Sequence, residues 1–182
     1  MLSFRTTILI YLLLSVNILH AQFVPISLNQ RIENSTAILE GKVISQASYW
    51  DETKTHIYTS NIIEVYKIFK GDSTSKKVEM ITVGGVVGDK VEYVTNMLTL
   101  KIGDTGVFTA IPNTQKLSTK TELPRLKTYA GIQGFIKYNL ESGIAADLFN
   151  EYKDLDIDLY QKITNQTKLN IKIIQKAPFK PF

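Results

Sequence analysis

Cysteine is absent from this 182-residue chain, histidine occurs twice and tryptophan once. Without cysteine there is no disulfide framework, so the fold must hold by packing and hydrogen bonds alone, unlike many small secreted domains with thin cores. Thiol catalysis, cysteine zinc sites and lipid attachment at a processed amino-terminal thiol are excluded as well. His20 lies in the leader described below, which leaves His56 as the one histidine of the remaining chain. One histidine supports neither a His-based hydrolase triad nor an ordinary zinc site built from several Cys or His ligands.

Excess charge is scarce too. Lys and Arg number 21 against 17 Asp and Glu, a formal charge of +4 that falls to +3 without Arg5 of the leader. The bases are scattered among acids and form no stripe that could track phosphates, so no nucleic-acid partner is expected. Only one long apolar run exists, at 8–19, broken by Ser15 and Asn17. It is too short to span a bilayer comfortably, which takes about 20 residues. Arg5 before it and the small Ala21 ahead of Gln22 complete the three-part layout of a secretory signal peptide. The expectation is a secreted, cell-surface or periplasmic protein with no transmembrane segment after cleavage.

What the chain does have is strand-like text. Runs at 36–50, 56–69, 77–83, 90–95 and 105–111, with shorter ones at 126–130 and 134–139, are separated by Gly, Asp, Asn or Pro. That is the layout of an antiparallel barrel or sandwich. The first two runs exceed a mean strand of about 5–6 residues and point to strongly bent strands, with Gly41 and Gly84-Gly85 where closure needs a bend or bulge. After Leu140 the period changes. Phe149, Tyr152, Leu155, Leu159, Tyr160 and Ile163 recur at threes and fours, while Asp147, Glu151, Asp154, Asp156 and Asp158 gather where acids favour the helix dipole. This predicts an amphipathic helix over 146–165 with a solvated acidic face, then a short strand over 170–175.

The fold class expected is mainly β: a small antiparallel OB-like barrel with one C-terminal amphipathic helix packed on it. The layout is signal peptide 1–21, lead-in 22–34, barrel 35–140, helix and short strand 141–175, and a linker or truncated end at 176–182.

Two motif readings fail on their own residues. Asp154-Leu155-Asp156-Ile157-Asp158 opens like a calcium loop, but Leu159 stands where the turn needs Gly and Asn165 where the twelfth position needs Glu. Gly84-Gly85-Val86-Val87-Gly88-Asp89-Lys90 matches neither phosphate-binding glycine pattern and reads as a hairpin connection. Glu64, Glu79 and Glu92 are the strand acids a glycosidase would need, and alternation reads them as outward-facing. No catalytic residue, metal site or cofactor is assigned. Tyr49, Trp50, Tyr58, Tyr66, Tyr93 and Tyr129 are numerous for a β-domain. Tyr49 and Trp50 on the first long turn, with Tyr58, are the candidate ligand-binding residues, by stacking on sugar rings or bases.

Ala37, Gly41-Lys42-Val43, Tyr49-Trp50, Ile57-Tyr58-Thr59, Val65, Phe69-Lys70-Gly71, Gly84-Gly85, Gly103-Asp104 and Val107-Phe108 resemble the amino-terminal β-domain of large exported proteins of Bacteroidota. Gly134-Phe135-Ile136 and the acidic helix with Leu159-Tyr160 are similar to the region after it. The resemblance implies a five-stranded OB-like barrel of the kind found in tissue inhibitors of metalloproteinases. It also implies a parent that can carry immunoglobulin-like or metallopeptidase domains and a type IX sorting tail. Those inhibitors chelate a protease zinc through an amino-terminal cysteine, so their mechanism does not carry over to a cysteine-free chain.

The function expected is an exported non-catalytic module, the first domain of a longer secreted protein, acting in docking, spacing or surface and ligand binding. Its partner would be an unidentified protein or a polysaccharide. The alternative is an inhibitor- or pro-domain-like module covering a peptidase active site, with a peptidase domain of the same polypeptide as partner. Mass spectrometry of the exported chain is expected to find a start at Gln22; an intact Met1 in exported material would contradict the leader.

Overall fold

In the computed structural model, which describes residues 24–72, 74–117 and 121–179, strands account for 44% of the described residues and helices for 16%. The signal peptide expected at 1–21 and residues 180–182 lie outside the described residues. β1 (Ala37–Trp50) and β2 (Ile57–Lys70) form a long antiparallel hairpin, and β3 (Lys77–Val83) pairs with β2. An outlying hairpin of β4 (Gly85–Val87) and β5 (Lys90–Glu92) follows. The chain then returns as β6 (Thr105–Pro112) on the far side of β1, and β7 (Arg125–Thr128) runs between β6 and β3. The circle β1-β2-β3-β7-β6 is closed, with β3–β7 its parallel pair. This is the OB-like barrel that the run of strands implied.

Closure forces β1 to pair with β2 and β6 at once, and its register with β2 slips between Ile38 and Leu39, Glu40 and Gly41, and Val43 and Ser45. Such slips bend a strand and increase its twist. Gly41 sits at one of them because a Cβ there would lie 2.5 Å from the Glu64 carbonyl oxygen. Leu39, Val43, Ile63, Val65, Met80 and Phe108 fill the interior, with the Phe108 and Phe135 rings stacked at 4.4 Å.

A second core lies outside the barrel. β8 (Phe135–Asn139), β9 (Ile144–Ala146) and β10 (Glu151–Tyr152) extend the sheet from β6. α1 (Leu28–Asn34) is closed by a Ser27–Gln30 capping box. A π-helical stretch, Leu155–Tyr160, runs on into α2 (Gln161–Thr167). Ile32, Ile38, Phe69, Val107, Leu155, Leu159 and Ile163 are buried between these layers. β11 (Lys172–Ile173) pairs with β2, and Phe179 meets Tyr66 and Tyr138 edge-on at 5.5 and 5.9 Å. Both ends of the described chain therefore sit on the barrel: the lead-in carries α1, and the segment expected to be a linker is seated as far as Phe179. Among the described residues no helix is long and apolar enough to cross a membrane.

The C-terminal helix begins at Leu155, not at 146. Asp147 Oδ1 accepts from the N–H groups of Phe149 and Asn150 at 2.9 and 3.0 Å, a side-chain turn that competes with helix. The chain then pairs as β10, so Tyr152 is buried from a strand and Phe149 stays 43% exposed. Helix starts where caps exist. Asp154 Oδ1 accepts from the N–H groups of Asp156 and Ile157, and Asp158 Oδ2 accepts from that of Asp154, so the acids expected on a wet face serve in part as caps.

Two buried polar clusters tie the outer layer down. Glu40 on β1 is fully buried and accepts hydrogen bonds from the Tyr138 hydroxyl at 2.9 Å and from the Tyr160 hydroxyl, while Lys67 Nζ stands 3.1 Å from its other oxygen. Burial, then the Glu40 charge, holds both hydroxyls far above the ordinary tyrosine range, so they stay donors. Arg31 of α1, also fully buried, donates to Asp147 at 2.5 Å, to the Tyr152 hydroxyl at 3.2 Å and to the Gln133 carbonyl. Truncating a buried leucine costs roughly 2–5 kcal/mol. Leu159→Ala is therefore expected to lower stability in urea titrations by that amount and Asp156→Asn, exposed, by under about 0.5 kcal/mol; equal losses would contradict the packing.

Candidate functional site

The barrel closes through only two register pairs of β3 with β7, Glu79↔Arg125 and Met80↔Leu126. Arg125 Nε donates to Glu79 Oε2 at 2.7 Å and the Ser60 hydroxyl donates to Oε1 at 2.6 Å, so this pair pins the seam. Glu79 is thus fully buried, against the outward-facing position that strand alternation predicts. Past Met80 the strands part. A cleft of about 520 Å³ opens there, lined by Tyr58 of β2, Ile81–Val83 of β3, Thr128 and Tyr129 at the end of β7, Asn113 and Gln115 after β6, and Met97 and Leu98. The volume lies in the range of ligand sites, roughly 300–1,000 Å³.

The chain around Tyr58 is held by side-chain hydrogen bonds. In the β1–β2 turn Asp51 accepts from the Thr55 N–H at 2.8 Å and the Thr53 hydroxyl at 2.9 Å, and it bridges to Leu117 of the β6–β7 connection. Glu92 accepts from the Ile57 N–H and lies 3.0 Å from His56 Nδ1, contacts that hold its pKa below the usual carboxylate value. Burial, then the charges of Asp51 and Glu92, raises the Tyr58 pKa, so at neutral pH its hydroxyl is a neutral donor and acceptor.

Beside this cleft the barrel interior turns polar. Asn61 donates to the Met80 carbonyl at 2.8 Å and to the Thr82 hydroxyl at 3.1 Å, Gln46 donates to Asn61 and to the Leu100 carbonyl, and Ser48 and Thr59 lie 3.0 Å apart. Gln46, Ser48, Thr59 and Thr82 line a second opening of about 490 Å³ under the β4–β5 hairpin, with Tyr93, 80% exposed, among its lining residues.

Of the three candidate residues from the sequence, the register brings two together. Tyr49 is the direct cross-strand partner of Tyr58 and shares its face, whereas Trp50 partners Ile57 on the opposite face. Tyr58 lines the cleft. Tyr66 belongs to the core, 1% exposed, with its hydroxyl on Glu64 at 2.8 Å. Thr128, Asn113 and Gln115 carry no sequence signal, since only closure of β7 on β3 brings them to Tyr58. Tyr129 is legible as one of the many tyrosines but not as a neighbour of Tyr58. Among the described residues no group of three or more His, Asp or Glu is placed to hold a metal ion. In comparisons with known proteins, no family model matches this chain and no curated protein matches it significantly.

The acids expected on a wet helix face include one that is buried. Burial alone would raise the Asp147 pKa, but the Phe149 N–H, the Arg31 guanidinium and the Tyr152 hydroxyl outweigh it and hold the carboxyl below its ordinary value. A folded pKa below the unfolded one, about 3.9, adds stability that is present above that pH and lost as pH falls through the folded value. Asp147→Asn leaves Arg31 buried without its counter-charge and is expected to cost roughly 3 kcal/mol at neutral pH. In urea titrations the gap between wild type and Asp147→Asn should close as pH drops below about 4. A gap unchanged down to about pH 2 would contradict the assignment.

Proposed function

We propose that the chain is an exported, non-catalytic binding module that receives its ligand in the cleft where β3 and β7 part. The observation that carries this reading is the seam itself: after two register pairs the strands diverge and leave a cleft walled by Tyr58, Tyr129 and the amides of Asn113 and Gln115. Aromatic rings beside amide and hydroxyl groups give a ligand an apolar face and hydrogen bonds to orient it. The position agrees with the way OB-like barrels bind ligands, on the face of their second and third strands between flanking loops; that is an analogy of fold.

The strand acids are engaged in holding the fold. Glu79 is bound by Arg125 and Ser60, Glu92 by His56 and the Ile57 N–H, and Glu64 by the Tyr66 hydroxyl. The leader-like first 21 residues support export, and the resemblance to the amino-terminal β-domain of exported proteins supports a module that binds.

Arrays of glycans and of peptides, probed with the chain freed of its leader, test the reading. Tyr58→Ala and Tyr129→Ala are each expected to weaken the strongest binder by about tenfold or more, the scale of losing one stacked ring. Ile157→Ala, exposed on the C-terminal helix, should not. Binding indifferent to both tyrosines, or no binding on either array, would overturn it.

A further inference from the structure

Two walls of the cleft are short strand edges, Ile81–Val83 of β3 and Lys127–Thr128 of β7. In β3 the Glu79 N–H donates to the Pro124 carbonyl at 3.0 Å, and just past its end the Gly84 N–H donates to the Ile57 carbonyl at 2.8 Å. Backbone groups of successive strand residues point to alternate sides, so Val83, in phase with Glu79, turns its N–H and C=O away from β2. In β7 the same phase holds on the facing side. The Tyr129 N–H donates to the Thr109 carbonyl at 2.9 Å and the Asn113 N–H to the Arg125 carbonyl at 3.0 Å, which leaves Thr128 pointing away from β6 and towards β3. Beyond Met80↔Leu126 neither edge has a strand opposite it among the described residues. Two short edges of the same sheet therefore face each other across the cleft, and Val83 and Thr128 turn their backbone groups into it.

A strand edge is a template for another chain, and a slot with an edge on either side is a template for one that pairs twice. We propose that the cleft takes an extended polypeptide stretch of a partner protein, laid between β3 and β7 as an added strand and hydrogen-bonded to Val83 on one side and Thr128 on the other. This rests on the reading of the cleft as the binding site. Main-chain hydrogen bonds supply affinity in such strand addition, and alternate side chains supply specificity. One set of side chains would meet Leu98 at the barrel interior and the other Tyr58. A glycan has no amide edge at strand period. Among the described residues of the lining, Lys127 is the one charged group a polyanion would find.

A displayed library of linear peptides, selected on the chain freed of its leader, supplies the probe. The tightest peptide is then N-methylated at one residue at a time. A strand paired on both sides loses a hydrogen bond wherever it is methylated within the slot, so each consecutive methylation there is expected to weaken binding by about tenfold. NMR should show the Val83 and Thr128 amides protected from exchange on binding. If only alternate methylations matter, the peptide lies on a single edge and the insertion is overturned. Indifference to methylation, or a footprint that misses Val83 and Thr128, overturns it as well, and the module reading survives if Tyr58→Ala still weakens that peptide. Failure of all peptides beside a glycan that binds through Tyr58 also ends the inference and spares the module. Failure of both ligand classes ends the two together.

Discussion

The ion pair of the buried Glu79 with the partly exposed Arg125 is the contact on which barrel closure and cleft both depend. A parallel pairing of two residues is too short to hold by its ladder alone, and here one of the two pairs is itself the ion pair. Burying that carboxylate would be costly unless every oxygen found a donor, and Arg125 and Ser60 supply one each. Because the clasp sits at one end of β7, the other end is free to diverge. Seam and cleft are thus two consequences of one local arrangement.

The outer layer has a parallel logic. β1 pairs with both β2 and β6 and is buried from Ile38 to Gly41. Its one buried acid, Glu40, collects Lys67 from β2, Tyr138 from β8 and Tyr160 from the C-terminal helix. Arg31 does the same from α1, joining Asp147 and Tyr152. In a chain without disulfides these two clusters fix where the helices lie on the barrel, while Leu155, Leu159, Ile163 and Ile32 supply the apolar burial that holds them there.

Much of this fold was legible because it is written in local period and turn chemistry. The strands at 36–50 and 56–69, the bulge at Gly41, the hairpin after Gly84 and the short strand before Gln175 all follow from β-rich runs and glycine positions. The helix boundary was not, because Phe149 and Tyr152 keep helical spacing while Asp147 folds its own turn. The cleft was legible only in Tyr58. Alternation predicts which side of a strand a residue faces, but not which strand will close on it, so Glu79 read as wet and Trp50 read as a companion of Tyr58. Arg31 and Asp147 lie 116 residues apart and carry no joint signal.

The central claim is that β3 and β7 part after two pairs and leave facing edges, and amide hydrogen exchange on the ligand-free chain tests it directly. The N–H groups of Glu79, Gly84 and Tyr129 are all hydrogen-bonded and should exchange slowly. Val83 and Thr128, each one residue away from a protected neighbour, should exchange faster by orders of magnitude. Equal protection of Val83 with Gly84 and of Thr128 with Tyr129 would mean that the seam runs on past Met80 and that no slot exists.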